Sequence, residues 1–270
     1  MPIVIRKGMH VFYEEAGSGN PPMLFVHGIG NHTHFGAQVN YFSRTHRVVA
    51  PDLPGFGQSD APEREYGIAA FADDIAWLCD ELELRGPVIV GHSMAGAVAL
   101  EVAAARRDLA SALVLLDPIP IVPLPALQAQ RGQLAEALAG PAYREAFRGF
   151  AEARMFRSSD DPELRAQLVD EMCATPQHVL APTFANLSTW SGEHLADHVS
   201  VPVLLITAGD GLPADMARTR ELLPQLELGR TVGVGHFAHA IAPDQINAMI
   251  DRFLAAPPQR TPESLATTPR

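Results

Sequence analysis

Short, wholly apolar runs alternate along the chain with longer stretches whose apolar residues recur at helical spacing. A strand covered on both faces loses the polar alternation of a one-sided strand, so this rhythm predicts a largely parallel sheet flanked by helices. Strands are predicted at residues 11–14, 23–26, 47–50, 87–90, 112–116, 201–207 and 230–234. A helix is predicted over residues 68–82, where Phe71, Ile75, Leu78 and Leu82 stand at i, i+4, i+7 and i+11. An alanine-rich helix follows residues 91–96 as far as Ala105, and a closing helix covers residues 243–254. Turn residues at Gly17-Ser18-Gly19-Asn20-Pro21-Pro22 separate the first two strands.

Between Asp117 and Val201 this rhythm stops. The stretch reads as five segments of helical character broken by Pro and Gly, entered through Pro118, Pro120, Pro123 and Pro125, whose rings favour an extended lead-in. The expected organisation is an α/β core built from residues 1–117 and 201–256, a helical cap from 118–200, and a flexible tail from 257–270.

Composition narrows the function classes. The 270 residues suffice for one sizeable core, and 47% hydrophobic with 19% charged residues is ordinary for a globular enzyme. A formal net charge of −11 opposes nucleic acid and anionic membrane surfaces as partners. Lys7 is the one lysine, with nothing nearby to support covalent chemistry, and Cys79 and Cys173 stand far apart with no metal-ligand spacing. The N-terminus lacks the pattern of a signal peptide, and no apolar run is long enough to span a bilayer. A soluble cytoplasmic protein acting on a small molecule, with no cofactor and no metal, is the expectation. Homo-oligomerisation is left open.

The strongest chemical signal is Gly91-His92-Ser93-Met94-Ala95 between an apolar strand and a helix. A serine on a tight strand-to-helix turn is held in strained backbone, and only small residues two before and two after it avoid collision. Gly91 and Ala95 meet that need, with Ala95 where a second glycine is usual. The turn presents the Ser93 hydroxyl above the sheet, where the Met94 N–H and the helix N-terminus can hold a developing oxyanion.

Together with Phe25-Val26-His27-Gly28, Pro51-Asp52-Leu53-Pro54-Gly55-Phe56-Gly57-Gln58-Ser59 and Gly235-His236-Phe237, this motif resembles the α/β-hydrolase superfamily, up to about Leu254. The resemblance implies an α/β-hydrolase fold with a helical cap, a second oxyanion N–H from Ile29, and a structural role for the loop from Asp52 to Ser59. His236, in a loop at the sheet's carboxyl edge, is the expected general base, with His239 as its rival. The acid has two candidates. Most relatives carry it after the strand at residues 201–207, where Asp210 arrives early in a shortened loop; a minority carry it after the preceding strand, where Asp117 stands. Either carboxylate suits a triad defined by geometry, and Asp215 is a distant third.

Other patterns are weaker. A strand, Gly28-x-Gly30 and Asp52 imitate a dinucleotide fingerprint, but Thr33 occupies the third glycine position. His32 and His34 lack supporting ligands at metal spacing and are expected to face solvent or a pocket. His92 is read as background. In the insertion, Phe147, Phe150, Met155, Phe156, Met172, Phe184 and Trp190 are expected to pack, with an unidentified subset lining an apolar pocket. No basic cluster is expected there to clamp a phosphate or dicarboxylate; Arg154 and Arg157 could bind a single carboxylate, but a solvated helix face is the preferred reading for both.

The resulting expectation is a serine hydrolase cleaving a small to medium, largely apolar carboxylic ester or lactone through an acyl-enzyme. C–C bond hydrolysis, acyl transfer or cofactor-free dioxygenation on the same framework is the alternative, as is a weakly catalytic small-molecule receptor.

Overall fold

The structure is a computed structural model, and it describes residues 2–195, 197–209 and 214–255. Its strands are β1 (Ile3–Arg6), β2 (Met9–Ala16), β3 (Met23–Val26), β4 (Val48–Pro51), β5 (Val88–His92), β6 (Ala112–Leu116), β7 (Val203–Thr207) and β8 (Leu226–Arg230). They form one sheet in the order β1-β2-β4-β3-β5-β6-β7-β8, antiparallel from β1 through β4 and parallel from β4 to β8. This is the α/β-hydrolase fold that the sequence implies.

Period-two side-chain geometry explains why the central strands read as unbroken apolar runs. Leu24, Val26, Ile89, Leu113, Leu115 and Leu205 join the core on one face, whereas Met23, Phe25, Val88, Val90, Val114 and Ile206 join the core on the other. Helices α2 (Ile68–Glu81) and α3 (Met94–Ala105) cover the first face. Helices α1 (Gly36–Phe42) and α10 (Pro243–Ala255) cover the second. Each fully buried Leu, Ile or Phe contributes about 1.5–3 kcal/mol, so a sheet with two such faces holds its strand ends rigidly.

Four helices occupy the stretch between β6 and β7: α4 (Pro125–Leu138), α5 (Tyr143–Arg154), α6 (Pro162–Cys173) and α7 (Gln177–Thr189), followed by a 3-10 turn at Gly192–Leu195. This matches the five expected helical segments. The insertion is tied to the core at specific points. Asn186 Oδ1 accepts from Ile68 N (2.9 Å), satisfying a free N–H at the start of α2, where Gly67 offers no side-chain cap. Trp190 Nε1 donates to Glu101 Oε1 on α3 (2.8 Å).

Two sequence expectations are corrected. The last strand is Leu226–Arg230 and not residues 230–234: Gly233 has φ 78° and Val232 is 77% exposed, so the apolar look of that stretch belongs to a loop. The hairpin strand β1 gave no expectation, because its apolar residues Ile3 and Ile5 are exposed at the sheet's edge. Short helices α8 (Met216–Leu222) and α9 (Ala238–Ile241) complete the described residues. The expected tail at 257–270 lies outside them. No helix of the described residues is long and apolar enough to cross a membrane.

Candidate active site

The parallel register brings several strand ends to one line. Val26 pairs with Gly91, Gly91 with Leu115, and Leu116 with Ile206, so the residues that follow β3, β5, β6 and β7 emerge side by side at the carboxyl edge. Ile29, Ser93, Asp117 and Ala208 are those residues, and all four line one cavity together with Met94 and His236.

Ser93 sits at φ 55°, ψ −118°, outside the regions a non-glycine residue ordinarily adopts. The surroundings explain how the turn tolerates it. A Cβ on Gly91 would collide with the Ala95 carbonyl, and one on Gly28 would come within 2.9 Å of the Ser93 Cβ. Ser93 N donates to Leu116 O (3.0 Å), while Ser93 O accepts from Gly96 N and Ile119 N (3.1 Å each). Ala95 is fully buried and its methyl is accommodated where a second glycine is usual. Met94 begins α3, so its N–H has no intrahelical acceptor and is free for a ligand.

His236 is anchored from three directions. Its Nδ1 donates to Asp117 Oδ2 (2.6 Å), its backbone N donates to Met155 O (2.9 Å), and its carbonyl accepts from His92 Nε2 (3.0 Å). Asp117 Oδ1 in turn accepts from Ala208 N (2.8 Å). With Nδ1 so engaged, Nε2 is the nitrogen left for the cavity. Asp117 has φ 39°, a conformation aspartate tolerates better than most residues. Of the two acid candidates, Asp117 is the one that meets His236; Asp210 lies outside the described residues. Asp215 caps α8 instead, accepting from Arg218 N (2.9 Å). His239 is buried against His92 and Phe35, and burial holds its pKa well below the ordinary value, so it does not line the cavity.

His92 carries more than the background role read from sequence. It is fully buried, and burial drives its pKa well down and keeps the ring neutral, so an Nε2–H can fix the His236 carbonyl. His27 does comparable work beneath the loop that carries Gly28 and Ile29. Its Nδ1 donates to Gly28 O (2.7 Å), and its Nε2 accepts from Leu53 N (3.0 Å). Burial pulls its pKa down to about 4.

Asp52 shapes the adjoining loop. Its carboxylate accepts from His32 N (2.7 Å), His32 Nδ1 (2.8 Å) and Gln58 N (2.8 Å), and Gly57 at φ 54° leaves no room for a Cβ beside it. His32 and His34 are buried and paired with Asp52 and Glu171; neither faces solvent, and His32 lines a second pocket, as the expectation allowed. The carboxylates come from distant sequence, which spacing along the chain does not reveal.

The family model for the alpha/beta hydrolase fold matches residues 21–243. The chain belongs to this family. Among curated relatives, 2-(acetamidomethylene)succinate hydrolase of Mesorhizobium japonicum is 29% identical over 90% of this chain and 90% of its own length. Among solved structures, an esterase of Thermogutta terrifontis with malate bound superposes with a TM-score of 0.81 at 24% identity, covering 93% of this chain and 96% of the esterase. An N-acyl homoserine lactone degrading enzyme also gives a TM-score of 0.81, at 25% identity, covering 93% of this chain and all (100%) of that chain.

In this α/β hydrolase the cavity has a volume of about 230 Å³, and the insertion forms its upper wall. Phe150, Met155, Phe156 and Phe184 are the expected aromatic and thioether subset that lines it; Phe147, Met172 and Trp190 pack elsewhere. Phe156 stacks on Phe237 with ring centroids 5.3 Å apart, which clamps the His236 loop from above. Arg154 and Arg157 line the cavity together with Arg131 and are exposed, so the solvated position expected for both also borders the cavity. Helix periodicity does not mark Arg131, since α4 is only weakly amphipathic and is followed by no motif.

Proposed function

We propose that this protein is a serine hydrolase that cleaves small to medium carboxylic esters or lactones through an acyl-enzyme. The observation that carries the reading is the shared cavity: Ser93, raised on a positive-φ turn at a helix N-terminus, opens onto the same space as a histidine bound to a carboxylate.

In this reading the Ser93 hydroxyl attacks the ester carbonyl while His236 Nε2 takes its proton. The negative charge that develops on the carbonyl oxygen is held by the N–H groups of Met94 and Ile29. As the tetrahedral intermediate collapses, the C–O bond to the alcohol breaks and His236 returns the proton to the leaving oxygen. Water then repeats the sequence on the acyl-enzyme, with His236 as base, and releases the acid and free Ser93. Asp117 holds the imidazole in the Nδ1–H tautomer and stabilises its protonated form. The helical insertion acts as a cap that walls the acyl site with Phe150, Phe156 and Phe184, which supports an apolar stretch in the substrate. The esterase and lactone-degrading structures of the same fold, and the relative named as a hydrolase, agree with this choice of reaction.

The test is hydrolysis of 4-nitrophenyl esters from acetate to hexanoate by the wild type and by Ser93→Ala. The expected loss of kcat/KM is on the order of 10⁴ or more. Cleavage that persists in Ser93→Ala overturns the reading.

A further inference from the structure

We propose that the substrate carries a carboxylate, and that Arg131 in the roof of the cavity receives it. The inference rests on the ester or lactone chemistry above and adds the class of acyl group that the site selects.

Arg131 lies in the middle of α4, too far from the helix's C-terminus to satisfy its last carbonyls. It is 8% exposed, yet among the described residues it forms no ion pair and its Nη1 has no hydrogen-bond partner. The helix packed most closely on α4 is α7, whose sequence from Gln177 to Thr189 contains no acidic residue. Burial pulls the guanidinium down to about 10, with no carboxylate near enough to counter it, and it stays protonated at neutral pH. An unpaired buried charge is costly to a fold, and departures of this kind concentrate at functional sites.

The cavity supplies the ligand's position. Arg131 lines the same space as Ser93 and His236. Arg154 and Arg157 also line it, and both are exposed, which places them toward solvent. Among the described residues the cavity's one carboxylate is Asp117, already engaged by His236 and Ala208. A chain with a formal net charge of −11 therefore presents a locally cationic pocket above its nucleophile. A guanidinium fork matches a carboxylate through two parallel N–H donors, so one buried arginine suffices for a carboxylate. The apolar wall of Phe150, Phe184 and Leu187 suits a short methylene chain linking that carboxylate to the scissile carbonyl. A volume of about 230 Å³ equals roughly eight waters, enough for the monoester of a short dicarboxylic acid.

Two measurements test this. The first compares kcat/KM for mono-4-nitrophenyl esters of succinate, glutarate and adipate with those of their neutral methyl-ester counterparts. The best half-ester is expected to exceed its neutral counterpart by about 10² in the wild type, a ratio that falls below about threefold in Arg131→Met and recovers partly in Arg131→Lys. The second is calorimetric titration of succinate, glutarate and adipate into Ser93→Ala and into the double variant Ser93→Ala/Arg131→Met. Binding to the first protein and its loss by at least about 30-fold in the second is the expected result, with inorganic phosphate binding more weakly than the best dicarboxylate. A wild-type ratio near one, a ratio that Arg131→Met leaves intact, or dicarboxylate binding that is absent or independent of Arg131 overturns the proposal. If no ester is cleaved in a Ser93-dependent manner while Arg131-dependent binding persists, the hydrolase reading fails and the carboxylate site stands.

Discussion

The floor and the roof of the cavity are built on opposite rules. On the floor, the groups that touch His236 are held in place: Asp117 by Ala208 N and His236, and the His236 backbone at both its N–H and its carbonyl. In the roof, Arg131 is buried and, among the described residues, forms no ion pair, its Nη1 without a hydrogen-bond partner. A histidine held in this way is fixed before any substrate arrives, which is what proton transfer over hydrogen-bond distances requires. An unmatched roof is fixed only when a ligand completes it, which is what selection among substrates requires.

The largest effect expected on breaking the floor is at Asp117. Asp117→Asn keeps the size of the side chain but disfavours the Nδ1–H tautomer of His236, and a loss on the order of 10⁴ in kcat is expected, measured with the best nitrophenyl ester. A mild loss would return the acid assignment to Asp210.

Acid should break the floor's supports next. His27, His92 and His239 have folded pKa values lowered by burial, so the unfolded chain takes up protons first as the pH falls. Their contribution to stability is fully present above the unfolded value of about 6.5 and is lost as the pH drops toward the folded values, at about 1.4 kcal/mol per pH unit for each. His32 acts in the opposite sense. Burial opposes its charge, but the bond to Asp52 wins and raises its pKa, so it stabilises at low pH and loses that contribution as the pH rises. Three groups outweigh one. The urea midpoint should fall steeply between pH 6.5 and 5, and His239→Gln should flatten the slope.

The smallest effect should come from the roof and should have the reverse sign. Arg131→Met removes an uncompensated buried cation, and stability is expected to rise by about 1 kcal/mol or more, or about 2–4 °C in Tm. A destabilised variant would mean that Arg131 supports the fold.

The same contrast decides how much was legible in the sequence. Ser93, Met94, Ile29 and His236 follow strand ends, and a parallel sheet aligns strand ends whatever its side chains are, so short motifs were enough to find them. Choosing Asp117 required knowing which loop meets His236, a tertiary fact. The strand after Leu223 was displaced because an edge strand with Glu227 and Arg230 lacks the apolar run that marks a buried one. His92, the carboxylate partners of His32 and His34, and Arg131 were missed for one reason. Their significance lies in what surrounds them, and no spacing along the chain encodes a partner, or the lack of one.

Ser93 is expected to form the covalent intermediate. The most direct measurement is peptide mass mapping after brief reaction with a 4-nitrophenyl ester, quenched in acid, in the wild type and in Ser93→Ala. One acyl group is expected on the peptide containing Ser93, and none in the variant. An acyl group on another residue, or turnover with no adduct and no dependence on Ser93, would contradict it.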